Sequence, residues 1–143
     1  AYFNTPIKKP GKYDGFWSAD AKEFSAHLNK NRGDKPLSAE AQNTRYFLRI
    51  EGSNCDELYF IEGGDFTMSA GTLKKLETAK GRTAHLVVFN RELPGGARIE
   101  QGAIATMFHA EKRIVLEFPD HKLTFYPEIE KPATLADKYT AGF

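Results

Sequence analysis

Four strand-like runs follow one another between residues 83 and 126, and only short turns separate them. The runs are TAHLVVFN, ARIEQGAIATMFHA, RIVLEF and KLTFYPE, and the connections are LPGG, AEK and PDH. Runs rich in β-branched and aromatic residues that are joined by such short loops pair as antiparallel hairpins. This half of the chain therefore predicts a four-stranded meander.

The apolar residues of these runs also predict how the strands pair. The turn AEK aligns Ile114 with Phe108, and the turn PDH aligns Leu116 with Phe125. Both alignments place apolar side chains on one face of the sheet, as a sheet with one buried face requires.

An earlier hairpin is predicted over residues 44–62, TRYFLRIEGSNCDELYFIE, with its turn at SNC. Pairing about this turn places Ile50 opposite Leu58 on an inward face and Arg49 opposite Tyr59 on the other, because side chains alternate along a strand. The second face then collects aromatic, apolar and arginine side chains: Arg45, Phe47, Arg49, Tyr59 and Ile61.

Two short helices are predicted outside these strands. SADAKEFSAHLNKN carries apolar residues at helical spacing, with Ser18 as its cap and Gly33 as its stop. TLKKLETAKG places Leu73 and Leu76 three residues apart and is predicted to end at Gly81.

The order of elements is therefore helix, hairpin, helix and four-stranded meander in one domain, residues 1–143. An extended aromatic and basic arm is expected over 1–17, an α+β body over 18–128 and an irregular tail over 129–143. The fold class is α+β, mostly β, with a curled antiparallel sheet. Two architectures stay open: a partly open barrel that resembles an OB-fold in topology, and an open sheet with helices on one face.

Composition limits the location and the partners of such a domain. The net charge is +1 with 27% charged residues, so charge alone indicates no partner. No apolar run approaches the roughly 20 residues of a membrane span, and the first residues lack the apolar core of a secretory signal. We expect a cytoplasmic protein that does not bind a membrane.

The residue types of common catalytic and metal sites do not converge in the predicted pairing. No metal and no cofactor are predicted, because the candidate imidazole ligands fall on separate elements: His27, His85, His109 and His121. The sole cysteine, Cys55, is predicted to lie in a turn beside acids that raise the pKa of its thiol. With no GxSxG elbow and no ordered phosphate loop either, no catalytic residue is predicted, and the sequence favours a non-enzyme.

The second face of the first hairpin carries the functional hypothesis. Bases of single-stranded nucleic acid stack on aromatic rings while arginine and lysine contact phosphates. On this reading Phe47, Tyr59 and Trp17 stack on bases, and the backbone is held by Arg45, Arg49, Lys8 and Lys9. The alternative is that Phe47 and Tyr59 form a second core face.

Two further functions stay open. The same rings and arginines suit a protein-interaction module, such as an inhibitor or assembly factor, because these residue types dominate interface hot spots. A small-molecule binder is the third hypothesis, with apolar strands such as HLVVF lining a barrel cavity. Unpaired strand edges leave homo-oligomerisation open as well.

Overall fold

A computed structural model of the protein describes residues 13–30, 44–61, 66–93 and 95–128. Those ranges contain one helix and nine strands. In chain order they are β1 (Gly15–Ala19), α1 (Ala21–Asn29), β2 (Thr44–Glu51), β3 (Asn54–Ile61), β4 (Phe66–Ser69), β5 (Gly71–Ala79), β6 (Arg82–Glu92), β7 (Arg98–Phe108), β8 (Arg113–Glu117) and β9 (Lys122–Pro127).

Eight of these strands close into an antiparallel barrel. β1, β2 and β3 are followed around the barrel by β5, β6, β7, β8 and β9, and β9 returns to pair with β1. β4 is an additional short strand on β3. The mostly-β class and the four-stranded meander are confirmed, but the barrel is closed and eight-stranded, so neither the OB-like topology nor the open sheet describes it.

The second predicted helix is wrong, because its residues form β5. They pair with β6 from Gly71 opposite Phe89 to Ala79 opposite Arg82, with a bulge between Lys75 and Glu77. A bulge inserts one extra residue and breaks the two-residue alternation of a strand. The three-residue spacing of the two leucines in TLKKLETAKG resembles a helical period, but Leu73 packs against the core whereas Leu76, at the bulge, is exposed.

The first predicted helix is confirmed as α1, although its cap is different. Asp20 is the N-cap, and its Oδ1 accepts a hydrogen bond from the Glu23 backbone N–H at 3.0 Å. Ser18 belongs instead to β1, so the end of the predicted arm is a barrel strand. Trp17 in this strand is buried, and its Nε1 donates to the Tyr13 carbonyl at 2.9 Å. Gly33 lies outside the described residues.

The register predicted for the first hairpin is wrong. The chain turns at Gly52 and Ser53, where Gly52 has φ +61°, and Arg49 pairs with Asp56 instead of Tyr59. A two-residue turn needs such left-handed backbone, which glycine adopts at low cost. Because the partner moves by three residues, an odd number, Tyr59 changes to the inner face.

The same correction moves Cys55 from the predicted turn into β3. Its side chain is completely buried in the barrel core. A thiol in this position packs as a small apolar group, so Cys55 is part of the core and not a turn residue.

The predicted registers of the later hairpins are also wrong, with different consequences. Ile114 pairs with Met107 instead of Phe108, a shift of one residue. Leu116 pairs with Leu123 instead of Phe125, a shift of two that keeps both side chains on the same face.

Alternate residues of most barrel strands fill the interior, whereas β5 is exposed over much of its length. The buried apolar side chains there include Leu48, Ile50, Val87, Phe89, Ala103, Ala105, Met107, Ile114, Leu116, Leu123 and Phe125. An eight-stranded barrel is just wide enough for its own side chains or for one small ligand. A ligand must therefore enter where this packing stops, at an end of the barrel.

Gly71 lies where β3 and β5 approach each other closely, because a Cβ at this position would overlap the Cys55 carbonyl oxygen. We predict that Gly71→Ala lowers the free energy of unfolding by about 1–3 kcal/mol, since backbone has to move. Urea unfolding measures this loss. Gly102→Ala is the matched control, because its Cβ would meet nothing within 4 Å. Equal losses in the two variants would contradict the contact.

Candidate functional site

A carboxylate lies fully buried on the inner face of β3. Glu57 is 0% exposed and lies between Cys55 and Tyr59, which share its face because side chains alternate along the strand. Removing a carboxylate from water is costly unless it is paired and hydrogen-bonded. The groups that compensate Glu57 therefore define the site.

Arg91 of β6, which is separated from β3 by one strand of the sheet, supplies the opposite charge. Its Nε donates to Glu57 Oε1 at 2.6 Å, and its NH2 group donates to Oε2 at 3.0 Å. This two-bond pairing fixes the orientation of both planar groups. Burial alone would lower the pKa of Arg91, but the hydrogen bonds and the charge of Glu57 outweigh it and raise the pKa. The guanidinium therefore stays charged.

Two stacked tyrosines complete the cluster. The Tyr46 hydroxyl donates to Glu57 Oε2 at 2.5 Å, and the Tyr46 and Tyr59 rings stack with centroids 4.3 Å apart.

The environment keeps both phenols neutral. Burial raises the pKa of Tyr46 and of Tyr59, and the negative charge of Glu57 raises each further. A general base needs a pKa near the working pH, so neither phenol serves as one at neutral pH. Tyr46 acts as a fixed hydrogen-bond donor to Glu57.

A cleft of about 550 Å³ opens beside this cluster. Thr67 and Ser69 of β4 lie opposite Tyr59 and Glu57 in the register, so they continue the inner face toward solvent. The cleft is lined by Glu57, Tyr59, Thr67, Met68, Ser69, Arg91, Glu92 and Leu93. It joins a buried polar floor to a partly apolar rim, because Met68 and Leu93 are exposed.

Helix α1 packs at the same end of the barrel. Phe24 contacts the rings of Tyr46 and Tyr59, with centroids 5.7 Å and 6.3 Å away. His27 stacks on His121 of the β8–β9 turn at 3.7 Å. Lys30 Nζ donates to the Asp120 carbonyl oxygen at 2.6 Å. The helix is thus attached to the barrel close to the buried cluster.

The structure does not assemble the surface predicted from the first hairpin. Phe47 and Arg49 lie on the outer face of β2 and are buried, whereas Tyr59 lies inside the barrel. Arg45 is half-exposed, with its NH2 group 3.6 Å from Glu128 Oε2. Trp17 is part of the core. The side chain of Ile61 and both residues Lys8 and Lys9 lie outside what the structure describes.

Glu57 and Arg91 were missed because the site depends on the correct register. A usable signal does exist: Arg91 follows Val87 and Phe89 at two-residue spacing, and Glu57 follows Cys55 in the same way. Charged residues at inward positions of two strands indicate a buried pair once both inward faces are known.

The predicted scattering of the histidines is wrong for one pair, since His27 and His121 are in contact. Among the residues that the structure describes, no three His, Cys, Asp or Glu side chains are grouped so that they could hold a metal ion. Burial, followed by the charges of Asp56 and Glu57, raises the pKa of the Cys55 thiol.

Comparisons with protein-family models, curated proteins and solved structures found no match. Within the described ranges, no helix has the length and apolar character needed to cross a membrane.

The buried pair predicts a specific pattern of stabilities. Arg91→Met should lower the free energy of unfolding by about 3–5 kcal/mol, because it leaves the Glu57 charge buried without its partner. Adding Glu57→Gln should recover part of that loss, since the amide still accepts the Tyr46 proton. A double-mutant cycle in urea measures the coupling, and additive single losses would contradict the pairing.

The contact of α1 predicts a pH dependence. Burial lowers the pKa of His27, as do the charges of His121, Lys30 and Arg91, against an opposite effect of Asp120. The unfolded chain therefore binds this proton more tightly, so stability present above about pH 6.5 is lost as the pH falls below it.

We expect the melting temperature of the wild type to fall between pH 7.5 and pH 5.5 by more than that of His27→Phe, which keeps a stacking ring without the proton. His85, whose pKa burial also lowers, adds a dependence of the same sign to both proteins, so their difference isolates His27. Parallel pH curves would refute a role for His27.

Proposed function

We propose that the protein binds a small amphipathic molecule in the cleft beside Glu57 and Arg91. The observation that carries this proposal is a fully buried carboxylate, paired through two hydrogen bonds, at the floor of a cleft that opens to solvent. Ligand sites combine a concave apolar surface with a few fixed polar groups, and volumes of about 300–1,000 Å³ are usual.

The cost of the ion pair supports a role beyond stability. Buried ion pairs are often no more stabilising than apolar side chains of similar size, because desolvation offsets their attraction. The same pair holds its hydrogen-bonding groups in fixed positions, which is what a specific binding site requires. A ligand in the cleft would meet groups that are already ordered.

The cluster supports binding better than catalysis. Both oxygens of Glu57 already accept hydrogen bonds, and the neighbouring phenols are held neutral. Cys55 is buried and its thiol pKa is raised, so it does not supply a nucleophile at neutral pH. These groups can orient a molecule without transferring protons to it.

The other hypotheses remain untested predictions. The surface from which single-stranded nucleic-acid binding was inferred does not form. Phe47 is buried on the outer face of the barrel sheet, whereas Tyr59 lies on its inner face. Among the described residues, no particular contact supports binding of a protein partner. Binding of a small molecule is supported by the buried cluster of Glu57 and Arg91 and by the cleft beside it.

Nile red, an uncharged dye whose emission shifts to shorter wavelength in apolar surroundings, tests the proposal. We expect wild-type protein to bind it with such a shift. Thr67→Trp should weaken binding at least about tenfold, because the indole occupies the volume beside Tyr59.

Thr72→Trp is the matched control, since Thr72 is an exposed residue of β5 that does not line the cleft. The control variant should bind the dye like the wild type. No shift with wild-type protein, or equal weakening by both substitutions, would refute the proposed site.

A further inference from the structure

Resting on the proposed function, we infer that the ligand is uncharged and presents a carbonyl-type oxygen to Arg91. The hydrogen bonds of the guanidinium give the first reason. A guanidinium has five N–H groups, and Arg91 uses one on Nε and one on its NH2 group to hold Glu57. Three N–H groups remain with no acceptor among the described residues. Because arginine can only donate, the complementary ligand atom is an acceptor.

The position of Arg91 directs these donors to the cleft. Its guanidinium carbon lies 5.2 Å from the centroid of the Phe118 ring and 5.9 Å from that of Phe89. These rings cover part of the cation without accepting its in-plane hydrogen bonds. The side chain is 29% exposed and lines the cleft, so a ligand can reach it.

The charges of the lining disfavour an anion. Glu57 already balances Arg91, and Glu92 leaves the lining with one net negative charge. An anionic ligand that approached Arg91 would be repelled mainly by the buried carboxylate of Glu57, because Glu92 is exposed to water and its charge is screened. The available donors therefore suit a neutral acceptor better than a carboxylate or phosphate.

A cationic ligand is disfavoured by the burial of Glu57. This carboxylate is fully buried and held by Arg91 and Tyr46, so an incoming ammonium group would meet the guanidinium first. Glu92 is exposed to water, where an ion pair contributes little. The lining therefore provides no strong partner for a positive charge.

The rest of the lining indicates the body of the molecule. The Tyr59 ring and the side chains of Met68 and Leu93 offer apolar surface, while Thr67 and Ser69 offer hydroxyls for a second polar group. The ligand class is thus a small ketone, amide, ester or lactone with a ring or short aliphatic body. The unused N–H donors of Arg91 and the apolar lining of the cleft both favour this class.

Four naphthalenes that share one ring system separate these possibilities. They are 2-acetonaphthone, 2-naphthoate, 2-(aminomethyl)naphthalene and 2-ethylnaphthalene, whose substituents are a ketone, an anion, a cation and an alkyl group. At pH 7.5, fluorescence titration should show the ketone bound at least about tenfold more tightly than each of the other three.

Arg91→Lys keeps a positive charge beside Glu57 but loses the planar fork of donors. In this variant the advantage of 2-acetonaphthone over 2-ethylnaphthalene should disappear. Circular dichroism and the melting temperature check that the variant is folded. If it does not fold, the order of the four affinities in the wild type decides alone.

The outcomes distinguish this inference from the proposed function. If neither Nile red nor any naphthalene binds, the proposed site itself is refuted. If the naphthoate or the amine binds as tightly as the ketone, the cleft binds small molecules but the uncharged class is wrong. An unchanged ketone preference in folded Arg91→Lys would also overturn the role of Arg91.

Discussion

The ion pair between Glu57 and Arg91 depends on the register of the strands that carry it. Its two residues belong to β3 and β6, which β5 separates in the sheet, so the pair forms only when both strands present the correct face. A register shift of one residue in β3 would turn the carboxylate outward. The register of these strands therefore determines the polar floor of the cleft.

Much of the fold was predictable from local patterns. The meander after residue 82 and helix α1 follow from periodicity and short turns, which depend on neighbouring residues. Closure through β1 was not predictable in this way, because GFWSA is short and its partners β2 and β9 are distant in sequence. The strand β5 was not predictable from its leucines, because their three-residue spacing resembles a helical period although only Leu73 packs against the core.

The candidate site was less predictable than the fold, because a small error in the position of a turn changes which side chains face the barrel interior. A turn at SNC, instead of at Gly52 and Ser53, places the opposite set of β3 side chains on the inner face of β2. Aromatic side chains do lie on both faces of the hairpin, but Phe47 and Tyr59 occupy opposite sides of the barrel wall. Phe47 and Leu58 are buried on the outer side. Aromatic and apolar residues on both faces of this hairpin therefore indicate that it is buried on both sides.

The most direct test of this account is the pairing of the two tyrosines. Nuclear Overhauser effects in selectively labelled protein should connect the Tyr46 and Tyr59 rings, whose centroids lie 4.3 Å apart, and the Tyr46 ring to that of Phe125. The Arg91 Nε proton should also exchange slowly, because it is held in a hydrogen bond to the fully buried carboxylate of Glu57. Contacts from Tyr59 to the side chain of Arg49, with no contact to Tyr46, would contradict the register and the buried site built on it.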